Sequence, residues 1–368
     1  MSIIFVTMTT PSEREIFGRR LLQARRMAGL SLRDVSEGIG GAVSHAALAK
    51  YEKGEMMPNS TVAANLARLL KQPVDFFFRP PQLDFKAVRF RKMVRLSKTV
   101  ESSLREQALD YFERYAQIEA ILGVAKPFKN PLRTPTVSTL EEAEVSADEL
   151  RKAWHLGSDP IPDVIELLEN KGIKIQEART EDRHFDGLCA STDASPVIVI
   201  AAWLNENLLR KRMTTVHELA HVLLRMPEGI EVKIEERLVA RFAGAFLLPA
   251  ETFREEFGHS RTAITLHELI QLKLHFGVSI TAIIMRASQL GLITDATAKR
   301  FWSGWGAQWR KAQKEPGDEA YCGREIPARF PQLVFRAAAE EMISLSRGAS
   351  LLGQRLGEFR SELQKSCR

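Results

Sequence analysis

The chain has 368 residues, 45% of them hydrophobic and 27% charged, which excludes a mainly disordered chain and predicts two or three domains. No stretch approaches the roughly 18 uninterrupted apolar residues of a membrane-spanning helix, and the N-terminal segment lacks the basic and apolar regions of a signal peptide. The three cysteines, Cys189, Cys322 and Cys367, fit neither a disulfide framework nor a cysteine-only zinc site, so we expect a cytoplasmic protein without a membrane partner.

The chain carries 52 Lys and Arg residues against 46 Asp and Glu residues, a net charge of +6. The excess is concentrated in residues 79–98, which contain seven basic residues and one acid. We call this segment the basic stripe, and its centre consists of Arg89, Arg91, Lys92 and Arg95. Such a stripe attracts nucleic acid, and the alternative is a solvated linker surface.

Residues 13–72 have the pattern of a run of short helices, with apolar residues at helical spacing separated by glycines. Ser31, Ser44 and Asn59 each precede a helical segment and have the side chains of N-caps. Prolines end the block, so we place a first, all-α domain at residues 1–80.

Residues 81–141 contain the basic stripe, a long helix and a proline-rich linker at 126–141. The apolar side chains of the long helix recur at a 3.5–3.6 residue period. They are Leu104, Ala108, Phe112, Tyr115, Ile118 and Ile121. This helix either connects two domains or pairs two chains, so a dimer is possible.

From residue 142 the pattern changes to an α+β type. Two helices precede a short strand, GIKIQEA, and a loop containing FDGLCASTDAS leads to a second strand, PVIVIAAW, at 196–203. Helices at 206–225 and 233–247 follow. We therefore expect a small α+β domain at 142–295 and a helical C-terminal region at 296–368, in a protein that is mostly α.

The segment TTVHELAHVLLRM contains His217-Glu218-Leu219-Ala220-His221 and no helix breaker. On a helix, residues i and i+4 share a face, so both imidazoles can bind one metal ion. Glu218 can then act as the general base toward a water on that metal, as in metal-assisted peptide hydrolysis. The upstream strand at 196–203 has the character of a substrate-binding edge strand. The alternative is two histidines that share a helix face by chance.

A catalytic zinc requires a third protein ligand and an open position. The downstream candidates are Glu231, Glu235 and Glu236, and spacing alone does not choose among them. Adjacent helical residues point about 100° apart, so only one of Glu235 and Glu236 can readily face the metal. The oxyanion of the tetrahedral intermediate also needs a donor, for which His184 and His259 are candidates.

These residues resemble the ImmA/IrrE family of zinc metallopeptidases, in the form with an N-terminal XRE-type helix-turn-helix. The resemblance covers about 145–290 and rests on RMTTVHELAHVLL, a following glutamate and FAGAFLLPAE. The glutamate thirteen residues before Pro249 is Glu236. The resemblance therefore implies a zincin-like fold and a gluzincin-like site, with His217, His221 and Glu236 on Zn²⁺ (Mn²⁺ is possible) and Glu218 as general base. Departures at Met213, Ala240 and Leu248 remove no ligand.

The N-terminal resemblance covers about 15–72, and its segment VSHAALAKYEKGEMMPNS is similar to the recognition helix and following turn of XRE repressors. The implied DNA-binding candidates are Ser44, His45, Ala46 and Lys50. Since the alanine cannot hydrogen-bond a base, we expect weak or shape-driven DNA binding, or use of the domain for protein docking.

The resemblance implies an endopeptidase that cleaves a partner regulator, typically an XRE-family repressor, in a stress or mobile-element response. An extended substrate is expected along the strand at 196–203, and single-stranded DNA on the basic stripe is a possible activator. The alternative function is that of an XRE-type transcription regulator or antitoxin-like protein with a structural or vestigial metal site.

Overall fold

The computed structural model describes residues 12–80, 89–90, 96–133, 136–191, 195–259, 261–312 and 314–366. Arg91, Lys92 and Arg95 of the basic stripe lie outside these residues, and Arg89 is described only through its backbone. The prediction that the stripe binds nucleic acid therefore stays a prediction.

The chain divides into two compact units. The first contains the described residues of 12–80, 96–125 and 330–366, and the second contains 89–90 and the described part of 126–329. The predicted C-terminal region is thus split, since its first part belongs to the second unit and its last 37 described residues to the first.

The first unit consists of helices. They are α1 (Glu13–Met27), α2 (Leu32–Gly38), α3 (His45–Glu52), α4 (Ser60–Leu69), a 3₁₀ helix (Val74–Phe78), α5 (Lys98–Leu122), α15 (Arg329–Ala339, from Phe330 on), α16 (Leu345–Leu352) and α17 (Leu356–Ser366). The predicted N-caps Ser31, Ser44 and Asn59 are confirmed, because each side chain accepts a hydrogen bond from the backbone N–H three residues later.

The long helix α5 packs against α1 within this unit. Glu113 of α5 and Arg20 of α1 form a buried ion pair at 2.8 Å. Five of the six predicted apolar positions of α5 are buried, and Ile121 is 38% exposed. The face that we considered for pairing two chains is therefore covered by the chain's own residues.

The second unit combines helices with a small sheet. Its elements are β1 (Arg89–Phe90), α6 (Leu140–Ala153), α7 (Val164–Asn170), β2 (Lys174–Ala178), β3 (Gly187–Ser191), β4 (Pro196–Ala201), a 3₁₀ helix (Ala202–Glu206), α8 (Leu208–Leu223), α9 (Val232–Leu247), α10 (Ala250–Phe257), α11 (Leu266–Phe276), α12 (Ile280–Gln289), α13 (Asp295–Ser303), α14 (Trp305–Ala312) and a 3₁₀ helix (Asp318–Ala320).

The sheet has the order β1-β3-β4-β2, in which β2 and β4 are parallel and the other two pairs are antiparallel. The predicted edge strand at 196–203 is therefore wrong: β4 lies between β3 and β2, and all six of its residues are buried. Its continuous apolar sequence is that of a strand covered on both faces. The segment that we assigned to a loop forms β3, whose sequence GLCAS lacks the β-branched residues typical of strands.

Helix α8 packs on β3 and β4, and α9 packs against α8 and α6. The apolar face of α9 is buried at Leu238, Phe242 and Ala245. Among the described helices, none alone has the length and apolar character of a membrane span, although α11 and α12, bent by 94°, meet both criteria when taken together.

Candidate metal centre

The two histidines of the HELAH segment lie one turn apart on the C-terminal half of α8. Their Nε2 atoms are 3.2 Å apart, and their ring planes are inclined at 83°. The ring of His221 is almost fully buried, whereas that of His217 is 27% exposed. Both rings therefore turn their Nε2 atoms toward one point on the surface of the second unit.

Glu236, in the second turn of α9, completes this group. One carboxylate oxygen is 3.1 Å from His217 Nε2, and the other is 3.8 Å from His221 Nε2. The ligand atoms of His217, His221 and Glu236 all lie within 4.8 Å of one another. Among the described residues, this is the group of His, Cys, Asp or Glu side chains that could hold a metal ion.

The distances between these ligand atoms can be compared with those of a tetrahedral metal site. Four ligands at about 2.0–2.1 Å in tetrahedral geometry are about 3.3 Å apart. The two Nε2 atoms are 3.2 Å apart, and His217 Nε2 is 3.1 Å from the nearer oxygen of Glu236, both close to this value. Two imidazole nitrogens and a carboxylate oxygen also form a ligand set that suits zinc. The residues present therefore fit the metal implied by the sequence.

The structure also separates the three glutamates among which the spacing could not choose. Glu231 is exposed and precedes α9. Glu235 directs an oxygen to the other ring nitrogen of His221, with Oε1 3.6 Å from Nδ1. Only Glu236 reaches both Nε2 atoms, so the geometry agrees with the choice that the resemblance implied.

Glu218 adjoins the first histidine in sequence and is 8% exposed. The start of β3 passes close to it, because a Cβ atom placed on Gly187 would lie 3.1 Å from Glu218 Cγ. That Cβ would also lie 3.1 Å from Thr214 Cγ2 and from the carbonyl oxygen of Val199. A glycine thus lets β3 approach the α8 face that carries Glu218, a contact that we missed because we assigned this segment to a loop.

Buried and partly buried ion pairs hold the two site helices in place. Arg286 Nη1 and Arg241 Nε of α9 bind the same oxygen of Glu144 in α6, at 2.7 and 2.6 Å. Burial would raise the pKa of Glu144, but the hydrogen bonds and charges of the two arginines outweigh it and lower the pKa. On α8, Arg212 forms a fully buried ion pair with Glu325. These pairs link α9 to α6 and α12 and anchor the N-terminal half of α8.

The two histidines proposed as oxyanion donors do not join the cluster of ligand atoms. His184 precedes β3, its side chain is 80% exposed, and its Nδ1 lies 3.1 Å from Asp182 Oδ1. His259 is exposed just beyond α10. Their role in stabilising an oxyanion stays a prediction.

The candidate DNA-binding residues lie together at the surface of the first unit. Ser44, His45, Ala46 and Lys50 are all exposed on or next to α3, whereas Leu48 on its other side is buried. The Ser44 hydroxyl accepts a hydrogen bond from the backbone N–H of Ala47 and so caps the helix. This arrangement leaves one face of α3 available to a partner, which is the requirement for a recognition helix.

Two family profiles match the chain. That of peptidase family M78, described as the IrrE N-terminal-like domain, matches residues 168–288, which include the sheet strands β2–β4 and helices α8 and α9. A helix-turn-helix profile matches residues 21–77. A comparison with curated proteins finds no match. The chain therefore has the architecture of an N-terminal XRE-type helix-turn-helix followed by a domain similar to the IrrE N-terminal-like domain of peptidase family M78.

Proposed function

We propose that the protein is a zinc-dependent endopeptidase that cleaves a partner transcriptional repressor. The observation that carries this proposal is the convergence of His217, His221 and Glu236 within 4.8 Å, with the buried residue Glu218 directly after His217 in sequence. Two nitrogens, one carboxylate oxygen and an adjacent carboxylate are the parts of a gluzincin-like hydrolytic site.

Zn²⁺ bound at these ligands supplies Lewis-acid polarisation of the scissile carbonyl and lowers the pKa of water. Glu218 accepts the proton of the attacking water as it adds to the carbonyl carbon. The same carboxylate then donates that proton to the amine that leaves. Burial of Glu218 excludes bulk water from this transfer, and the contact with Gly187 restricts where its side chain can lie.

We further propose that an extended substrate runs along Gly187–Cys189, the first part of β3. Strand β4 is paired on both sides along its length, whereas the described residues of β1 pair with Ala190 and Ser191 at the other end of β3. The support is the approach of Gly187 to Glu218, which places the start of β3 beside the general base. Strand addition to a sheet edge holds a peptide through its backbone and so positions one bond for attack.

The substrate class is inferred from the domain that accompanies the peptidase. A helix-turn-helix in the same chain fits an enzyme that acts in the cytoplasm on a DNA-bound regulator, with an XRE-family repressor as substrate in a stress or mobile-element response. Single-stranded DNA bound at the basic stripe would act as the activating signal. Binding that falls steeply with salt concentration in an anisotropy assay is expected for such a contact.

The test combines metal content with cleavage. Elemental mass spectrometry should find about one zinc per wild-type chain and loss of zinc in Glu236→Ala. Glu218→Gln should keep zinc and the fold but should not cleave XRE-family repressors or a proteome-derived peptide library, as followed by mass spectrometry. A folded wild-type protein without metal after zinc addition, or a Glu218→Gln variant that cleaves like wild type, would refute the proposal and favour a transcription regulator.

A further inference from the structure

Glu235 is adjacent in sequence to the proposed ligand Glu236 but contacts the opposite side of the same histidine. We propose that Glu235 is a positioning residue, which holds the His221 ring through Nδ1 and thereby sets the affinity of the site for its metal. This inference rests on the proposed function. The observation that supports the role of Glu235 is the 3.6 Å separation of Glu235 Oε1 and His221 Nδ1.

The His221 ring is placed to use both nitrogens. Its Nε2 faces His217 Nε2 at 3.2 Å and Glu236 at 3.8 Å, on the side where the ligand atoms converge. Its Nδ1 faces Glu235 on the other side. A neutral imidazole carries one N–H, so a metal at Nε2 requires the proton on Nδ1.

A buried N–H requires an acceptor, and the His221 side chain is only 1% exposed. Glu235 offers a carboxylate oxygen 3.6 Å from this nitrogen, within ion-pair distance. A carboxylate at this position fixes the tautomer and the ring orientation and raises the basicity of the ligating nitrogen.

The helix period explains why two adjacent glutamates can serve one histidine. Successive side chains on α9 diverge by about 100°, so Glu236 reaches the Nε2 side while Glu235 reaches the Nδ1 side. The two carboxylates have separate tasks, and neither can replace the other without a rotation of α9.

The experiment measures zinc affinity of the full chain by competition with a chromophoric chelator. Glu235→Ala should raise the zinc dissociation constant by about 10–100-fold. Glu235→Gln should show a smaller loss, because its amide oxygen can accept the same hydrogen bond. The matched control is Glu231→Ala, which removes an exposed glutamate that makes no side-chain cap to α9.

Two further measurements separate positioning from a general structural role. The visible absorption of Co²⁺-loaded protein should change in Glu235→Ala, since the ring orientation changes, and should stay as in wild type in the control. The Tm of the metal-free Glu235→Ala variant should match that of the control. Loss of metal-free Tm with unchanged zinc affinity would overturn the inference.

The failure of this inference can be told from that of the proposed function. Wild-type zinc binding together with a Glu235→Ala affinity within twofold of wild type would overturn the role of Glu235 alone. Absence of zinc binding by folded wild-type protein would overturn both.

Discussion

Glu169 of α7 offers a test of the second unit's electrostatics that does not depend on catalysis. Its side chain accepts hydrogen bonds from the backbone N–H groups of Ala328 and Arg329, at 2.9 and 3.0 Å. The residue is only 8% exposed. Burial raises its pKa from 4.5 to about 7, against the opposing effect of the two N–H groups and the Arg329 charge.

A raised pKa in the folded state means that folding binds a proton between pH 4.5 and about 7. The stabilisation by Glu169 is therefore fully present below pH 4.5 and is lost as the pH rises through about 7. At about 1.4 kcal/mol per pH unit, the full difference is about 3 kcal/mol.

We predict that Glu169→Gln removes this pH dependence, because the amide oxygen accepts the same hydrogen bonds without a charge. The unfolding free energy of the variant relative to wild type should rise by about 2 kcal/mol between pH 5.5 and 8, the part of the total that falls in this interval. The assay is urea unfolding of chelator-treated protein at four pH values, followed by circular dichroism. Metal removal is needed because metal binding has its own pH dependence.

The control is Glu166→Gln, a change of the same type on the exposed side of α7. Its free energy of unfolding should depend on pH in the same way as that of wild type. A parallel profile for Glu169→Gln as well would refute the argument that a buried carboxyl at this position resists ionisation.

Three other substitutions test the site and its supports. Gly187→Ala would place a methyl group 3.1 Å from Glu218 Cγ. It should lower kcat by about tenfold with zinc content unchanged, because small misplacements of a catalytic group are costly. Unchanged peptide cleavage would contradict the close approach. Glu325→Ala leaves the buried guanidinium of Arg212 without its carboxylate and should cost about 3–5 kcal/mol in denaturant unfolding, whereas a loss below 1 kcal/mol would refute it. Lys50→Ala should weaken DNA binding about equally for all sequences and reduce the salt slope by about one, and an unchanged slope in an anisotropy titration would exclude a phosphate contact at this residue.

Local sequence signals were sufficient to predict the three helix N-caps and the two histidines of the candidate metal site. Ser31, Ser44 and Asn59 cap helices where the sequence placed them, since an N-cap depends only on residues within one turn. The same holds for His217 and His221, whose common face follows from the helix period alone. Each of these predictions required no knowledge of tertiary packing.

The division into units could not be derived in this way. Residues 330–366 belong to the first unit, where Phe330 packs against Tyr111 and Tyr115 of α5 with ring centroids 5.0 and 5.2 Å apart. More than 200 residues of chain separate these rings. No period or cap in the sequence indicates a contact between segments so far apart, so a boundary at 296 was the simplest expectation.

Prediction of the third metal ligand depends partly on local sequence signals and partly on tertiary packing. The helix period shows that only one of Glu235 and Glu236 can readily face the metal, but it neither excludes Glu231 nor says which side of α9 faces α8. That orientation is set by tertiary contacts: Arg241 of α9 and Arg286 of α12 share the carboxylate of Glu144. Since this cluster fixes the rotation of α9, its loss should move Glu236 away from the histidines even though no metal ligand changes. The geometry of the site is therefore a property of the packing of α6, α9 and α12 as much as of its ligands.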